Sequence, residues 1–509
     1  LQKYRPSAVT PALPTERGSS RLSSQGLENT YSVRYESNVD VYDVCKELVA
    51  LPDVEYAEPM YLMQLHQDTT VRRFTPNDPL FNRQYEWQRI DAEKAWGVTT
   101  GSAQVVIGII DSGVDYEHED LASKIWTNTG ESGMDANGRD KRTNGIDDDN
   151  NGRIDDWRGW DFANTLNAQE ANGGVYRDDN DPKLRRTLGR NLGVTDGTSN
   201  HGTHVAGAAA AATNNGRGVA GACPECLILP IKIMSEDSLL NGLLRSTEAM
   251  RYAADMKASV VNMSFGSRGV APFSNFSAFT QGVINQGTAA GTLYVASAGN
   301  DGSLQDDFNY PASYDNVFSV GNSNVNDVPV ASSNFGIKTG VFAPGNQTTS
   351  TFGDNQYQFL NGTSMSSPIV AGIAGLLRSQ RPTWTPIQIM HQIRSTSDNA
   401  ISQSLGLSER NPFYYGRLNA FRAVTFNNPL NQGENVVPGI SNVGISISAE
   451  NGLITGFQPV RMLIVAQNFL SNANDVSITI TSLDGRGLPI GSNTVNVGNI
   501  NTMQQRVAE

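Results

Sequence analysis

The stretch Asn361-Gly362-Thr363-Ser364-Met365-Ser366-Ser367-Pro368 leads small hydroxyl residues straight into an apolar helical run, Ile369 to Leu377. A serine there stands at a helix N-terminus, where free backbone N–H groups face whatever it attacks. A hydroxyl is a weak nucleophile at its normal pKa. It needs a base, and donors for the oxyanion that develops. The chain has five histidines, so the search for a base is short. His66 lies in an early segment that reads as a separate unit. His118 follows the acidic loop Asp115-Tyr116-Glu117, and His391 sits inside a helical pattern as a half-buried structural residue. That leaves Asn200-His201-Gly202-Thr203-His204, which opens an Ala-rich helix. Spacing alone leaves His201 and His204 equivalent. His201 is taken as the base and His204 as packing.

A carboxylate must orient that base. The apolar run Gln104 to Ile110 reads as a parallel strand buried on both faces, and it closes in Asp111-Ser112-Gly113. The C-terminal ends of such strands are where α/β sheets place functional groups. Taken alone, an Asp after a strand is better explained as a turn cap. A second buried strand, Gly291 to Ala296, runs into Ser297-Ala298-Gly299-Asn300. The Asn300 side chain offers an NH₂ donor to an oxyanion.

Asp111-Ser112-Gly113, His201-Gly202-Thr203-His204 and Gly362-Thr363-Ser364-Met365 resemble the three signature blocks of the subtilisin-like serine proteases, the subtilases, in the order Asp, His, Ser. The likeness covers roughly residues 72 to 427. It implies Ser364 as nucleophile, His201 as general acid/base, Asp111 as the group that orients the imidazolium, and an oxyanion hole from the Asn300 amide and the Ser364 N–H. The rival Gly-x-Ser-x-Gly elbow fails, because Ser366 stands where its second Gly belongs. The resemblance also implies that Ser264-Phe265-Gly266 pairs with substrate backbone as an added strand. The pocket for the residue before the scissile bond is then lined by Ser264 to Gly266 and by Ala298, Gly299 and Asn300, with Asn309 near its base. Relatives that cut after basic residues line this pocket with acids. Here Asn309 and Arg268 stand nearby, with Asp306 and Asp307 close in sequence, and a neutral, medium-sized or apolar preference is expected.

Two calcium loci are expected. In Gly145-Ile146-Asp147-Asp148-Asp149-Asn150-Asn151-Gly152-Arg153-Ile154-Asp155-Asp156, the residues Asp147, Asp149 and Asn151 alternate and Gly152 falls sixth. This matches the first half of an EF-hand-type loop, with the Arg153 carbonyl as the next donor. The twelfth position is Arg158, not the bidentate Glu, so Asp155 or Asp156 is expected to close the loop. A merely solvated acidic insertion is the plainer alternative. The second locus rests on resemblance. Phe74 to Phe81 and Gln84 to Trp96 look like a mature subtilase N-terminus of the thermitase-like branch, which implies calcium at Asp78, Asp120 and Asn215.

The 509 residues suffice for two to four domains. A net charge of −13 argues against nucleic acid as a partner. No apolar run reaches the roughly 18 residues of a membrane span. The chain starts at Leu1 without a recognisable leader, and is read as one whose targeting segment has been removed. Among three cysteines, Cys223 and Cys226 are read as a small local disulfide or two plain thiols, with Cys45 unpaired.

Residues 1–28 read as loop, Thr30 to Tyr35 as a strand, Val41 to Leu51 as an amphipathic helix and Val54 to Tyr61 as a second strand. This unit resembles the inhibitory propeptide of subtilases, particularly at Val54 to Tyr61. It implies self-cleavage between Leu62 and Arg73. An ordinary small N-terminal domain is the alternative. The insertion at 164–199, with Arg185, Arg186 and Arg190, is assigned no function. From 227 to 427 helices and strands alternate, and a polar linker leads to alternating segments.

The expected architecture is α/β, a doubly wound and mostly parallel sheet, with a small α+β propeptide (1–70), a catalytic domain (72–427) and an all-β C-terminal module (436–509). The expected function is a secreted serine endopeptidase, a calcium-stabilised zymogen acting on proteins and peptides and inhibited by its own propeptide. A catalytically silent binding or adhesion module is the alternative. An esterase or other acyl transferase on the same scaffold is a third.

Overall fold

The computed structural model describes residues 6–12, 29–35, 39–59, 72–163, 178–183, 200–235, 243, 245–268, 275–303, 309–336, 338–404, 416–427, 440–448, 461–479 and 494–508. His66, Arg185, Arg186, Arg190, Asp306, Asp307 and most of the expected cleavage stretch lie outside them. The chain divides into two compact units, Leu1–Thr70 and Val71–Glu509.

In the first unit β1 (Pro6–Pro11) runs antiparallel to β2 (Tyr31–Tyr35), and α1 (Val41–Val49) follows. Asp40 caps α1 by accepting from the Tyr42 N–H at 2.7 Å. The second strand expected at 54–61 is absent from its described residues, 54–59. The partner of β2 is instead a stretch read as loop. A short segment bounded by prolines carries little alternation, yet its backbone groups between those prolines still complete a ladder.

The second unit is built on seven strands. In chain order they are β3 (Val106–Asp111), β4 (Trp160–Asp161), β5 (Leu227–Lys232), β6 (Val260–Met263), β8 (Leu293–Ser297), β10 (Val317–Ser323) and β11 (Thr339–Pro344); β7 (Ser267–Arg268) and β9 (Asn309–Tyr310) form a small ribbon beside them. The spatial order is β11-β10-β8-β6-β3-β5-β4, and every pair is parallel. Parallel strands need crossovers, and helices supply them on both faces. The helices α2 (Tyr85–Arg89) and α3 (Ala92–Trp96) precede the sheet. Ile107 and Ile109 of β3 pack with Val205 and Ala206 of α4 (His201–Ala210) and Ile369 and Ile373 of α7 (Thr363–Gln380). Val106 and Ile110 face the other way, toward Met250 and Ala253 of α5 (Ser246–Asp255) and Ile284 of α6 (Ala278–Ala290). The sheet is therefore doubly wound, with the interior strand β3 buried on both faces.

Cys223 and Cys226 form a disulfide, and Cys45 is free. A hairpin, β12 (Thr348–Phe352) with β13 (Gln356–Leu360), lies against α4. The capping box of α8 (Pro386–Ser395) follows α7. The C-terminal segment forms two small antiparallel sheets. One contains β14 (Ile440–Ser448), β15 (Arg461–Asn468) and β18 (Gln505–Ala508), and the other β16 (Ala473–Thr479) and β17 (Thr494–Ile500). It touches α8, where Phe469 stacks on His391 at 4.8 Å between centroids. No described helix is long and apolar enough to cross a membrane.

Candidate active site

Asp111 ends β3, an interior strand between β6 and β5, and points at the first turn of α4. His201 Nδ1 lies 2.8 Å from Asp111 Oδ1, which also accepts the Ser112 N–H at 2.7 Å. Asp111 Oδ2 is buried and without a partner. The helix sits this close because residue 202 is glycine. A Cβ there would stand 2.3 Å from the Gly113 carbonyl oxygen and 3.0 Å from Asp111 Cβ. The Gly202 N–H in turn donates to Ser112 Oγ at 3.0 Å. Burial works to lower the His201 pKa, but the charge and hydrogen bond of Asp111 outweigh it, and the net shift is upward. The histidines thus sort by place. His204 is fully buried between the Thr348 and Gln358 carbonyls, at 3.0 and 3.1 Å, and burial lowers its pKa to about 3. His118 meets the Gln356 carbonyl and His391 the Phe469 ring.

Ser364 is in the first turn of α7, entered through Gly362 at φ +145°. In this rotamer its hydroxyl donates to the Ser264 carbonyl at 3.1 Å. The turn is anchored by a feature of the sequence that spacing did not reveal. Pro368, four residues on, has no N–H to give the Ser364 carbonyl. The Ser264 hydroxyl supplies that bond instead, at 2.8 Å. Ser264 itself accepts from Asn262 Nδ2 at 2.9 Å, and Ser367 donates to Asn262 Oδ1 at 2.9 Å. The end of β6 therefore holds the serine turn.

Asn300, exposed at the end of β8, is fixed by Thr363. The Thr363 N–H and hydroxyl both donate to Asn300 Oδ1, each at 3.0 Å. That assignment leaves the Asn300 NH₂ for an outside acceptor, beside Gly362. The expected pocket residues also converge. A Cβ on Gly266 or Gly299 would meet the Asn309 amide at 2.6 Å. Asn309 donates to the Ala298 carbonyl at 2.9 Å, and so does Asn334, at 3.1 Å. Asn334 also accepts from the Asp301 N–H at 3.0 Å. Nothing in its surrounding sequence marks it. Phe265 is half-buried, and 264–266 pairs with no other strand among the described residues.

A buried ion pair stands beside Asp111. Lys232 is aligned with Asp111 on one side and Asp161 on the other, and its Nζ lies 2.7 Å from Asp161 Oδ2. Both side chains are essentially sealed from water.

The metal candidates fall in two places. Asp78 accepts the Asn214 and Asn215 N–H groups at 2.7 and 3.1 Å, and Asp120 accepts from Asn215 Nδ2 at 2.7 Å and the Val219 N–H at 2.9 Å. Burial raises both carboxyls, Asp120 to about 6, and the Asp78 charge adds to the rise at Asp120. Two desolvated carboxylates facing one loop are a donor set that suits a hard cation. In the acidic loop, Asp147 accepts the Asn151 and Gly152 N–H groups at 3.0 and 2.8 Å. Asn151 Oδ1 accepts the Arg153 N–H at 2.8 Å, and the Arg153 side chain leaves to pair with Asp178 at 2.8 Å. Asp155 turns to the Gly145 N–H, and Asp156 is held by Asn128, Asn151 and Tyr252. The carboxylates that gather are Glu131, Asp147 and Asp149.

A model of the subtilase family matches residues 102–415. The chain is 33% identical over 402 residues to the thermophilic serine proteinase of Bacillus sp. strain AK1, across 79% of each chain. It is 33% identical over 355 residues to thermitase of Thermoactinomyces vulgaris, across 69% of this chain and 100% of that one. A solved structure of proteases from Pseudoalteromonas arctica PAMC 21717 superposes with a TM-score of 0.54 at 28% identity, covering 69% of this chain and 99% of that chain. The chain belongs to the subtilase family. It is a serine endopeptidase of the subtilisin type, and its sheet and helices are the α/β fold expected from the sequence.

Proposed function

We propose that the protein hydrolyses peptide bonds through Ser364, His201 and Asp111, with Asn300 and the Ser364 N–H holding the oxyanion. The single observation that carries this is the 2.8 Å contact between His201 Nδ1 and Asp111 Oδ1. An Nδ1–H donated to the carboxylate leaves the Nε2 lone pair to receive a proton. The Ser364 hydroxyl turns from the Ser264 carbonyl to that nitrogen. Its oxygen attacks the scissile carbonyl carbon as its proton passes to His201. The Asn300 NH₂ and the Ser364 N–H stabilise the negative oxygen. The imidazolium then protonates the leaving amine, and an acyl-enzyme forms. A water deprotonated by His201 cleaves that ester and restores Ser364.

The substrate backbone is proposed to lie along Ser264, Phe265 and Gly266. The side chain before the scissile bond enters between Gly266, Ala298, Gly299 and Asn309. The neutral Asn309 amide at its base supports a preference for neutral or apolar residues. Residues 1–70 act as a self-cleaved inhibitory propeptide, supported by their separation as a compact unit. Secretion is supported by the Cys223–Cys226 disulfide, since oxidising compartments keep such bonds. Calcium is proposed at Asp78, Asp120 and Asn215, and in the loop with Asp147, Asp149, Asn151 and the Arg153 carbonyl. When bound, it neutralises buried carboxylates and ties loops together.

The test is to follow the intact mass of the chain over time in calcium, beside Ser364→Ala, with a fluorophosphonate probe added to each. Only the parent is expected to lose an N-terminal piece ending between residues 62 and 73 and to take the label. Equal processing, or label retained by Ser364→Ala, would overturn Ser364 as nucleophile.

A further inference from the structure

We propose that Glu131, a residue outside the acidic loop, is the carboxylate that closes its calcium site. The inference rests on reading 145–156 as a calcium loop. An EF-hand-type loop depends on a glutamate in its twelfth position. Here that position is Arg158, whose guanidinium lies over the Tyr116 and Trp157 rings, at 3.7 and 4.8 Å from their centroids. Nor do the nearer acids serve. Asp155, at φ 56°, folds its carboxylate back on the Gly145 N–H at 3.1 and 3.2 Å. Asp156 is turned to other partners, accepting from Asn128 at 2.8 Å, Asn151 at 3.0 Å and the Tyr252 hydroxyl at 2.8 Å.

Glu131 fits the vacant role. It is fully buried (0% exposed). Its Oε1 accepts the Asp148 and Asp149 N–H groups at 2.6 and 3.1 Å, which fixes the carboxylate against the loop. Its Oε2 is buried and has no hydrogen-bond partner. A carboxylate oxygen from each of Glu131, Asp147 and Asp149 lies within 4.8 Å of the others. Two oxygens that each bind one calcium at 2.3–2.6 Å are at most about 5 Å apart. Gly130 permits the approach, because a Cβ there would stand 2.5 Å from Asp149 Cβ. Asn128 ties the same segment to the loop by donating to Asp149 Oδ2 at 2.9 Å. A buried carboxylate with one idle oxygen, gathered with two other carboxylates, is costly without a cation. Three carboxylates with an amide and a carbonyl oxygen suit calcium, which takes six to eight oxygens in flexible geometry.

The test uses the full chain carrying Ser364→Ala, which removes self-digestion. Bound calcium per chain is measured by equilibrium dialysis against CaCl₂, and melting is followed with CaCl₂ or EDTA. Glu131→Gln is expected to lose one calcium ion and part of the calcium-dependent rise in melting temperature. Asp149→Asn is expected to lose the same ion, and the double variant no more than that one. In EDTA, Glu131→Gln should melt at or above its parent, since a buried charge has gone. Glu131→Asp, which only shortens the side chain, should bind at least tenfold more weakly. Loss of an ion in Asp149→Asn but not in Glu131→Gln would overturn Glu131 as the closing ligand alone. Full calcium in both variants would overturn the calcium loop itself.

Discussion

At the scale of single residues, the site depends on how each polar atom is committed. His201 is raised by Asp111 against the pull of burial. A base must be neutral to work, so the acid limb of kcat/KM should lie above the ordinary histidine pKa. Asp111→Asn removes the charge and leaves the burial. That limb should then move to lower pH, while kcat falls by on the order of 10⁴. An unmoved limb in the pH–rate profile would separate Asp111 from His201. Thr363 works at the same scale. By occupying Asn300 Oδ1 twice, it turns the amide so that its donor faces outward. Thr363 lay inside a motif visible in the sequence, but its partner is 63 residues away. No local pattern encodes that bond.

At the scale of elements, the serine turn is a helix start repaired by a strand end. Pro368 withholds one helical N–H and Ser264 restores the bond. Ser264→Ala should leave the Ser364 carbonyl unpartnered, at a cost of about 1–3 kcal/mol. Pro368→Ala returns an N–H to the helix, so Ser264→Ala should cost less in that background. Melting of the four variants, all carrying Ser364→Ala, checks this. Equal costs in both backgrounds would mean that the two residues do not act on the same carbonyl. The helices and strands themselves were legible, since an apolar run such as Ile107 to Ile110 has no other stable home than a sheet covered on both faces. The first unit was less so. Its strand pairing uses 6–11, and the described residues 54–59 form no strand, because ladder bonds come from backbone groups that every non-proline residue carries.

At the scale of the whole molecule, stability couples to pH through a residue that the catalytic proposal does not use. Glu86 in α2 is fully buried, neither carboxyl oxygen has a partner, and burial pushes its pKa up to about 8. Below its ordinary value of 4.5, folded and unfolded chains are both protonated. As pH rises from there, only the unfolded chain releases the proton. Stability falls through this window and the loss is complete above about 8. Glu86→Gln abolishes the titration. Its melting temperature relative to the parent should therefore rise between pH 5 and pH 9, on the order of 2 °C or more. The same difference at both pH values would show that Glu86 does not titrate in this window. Lys232 and Asp161 present the opposite case. Each buried charge there has its partner at 2.7 Å.

The sequence by itself determined the chemistry-bearing motifs, their order and the elements that carry them. Each is short, and each is imposed by local rules: a strand that must be buried, a helix N-terminus that must be polar, a glycine where backbones touch. It also marked the alternate acids of the loop at 147–151. Tertiary structure alone decided which of His201 and His204 meets Asp111, which serine replaces the bond lost at Pro368, and which carboxylates face Asp147 and Asp149. Those outcomes are contacts between segments 16 to 100 residues apart. They arise from packing and the satisfaction of buried polar groups, and neither is written in the spacing of neighbours.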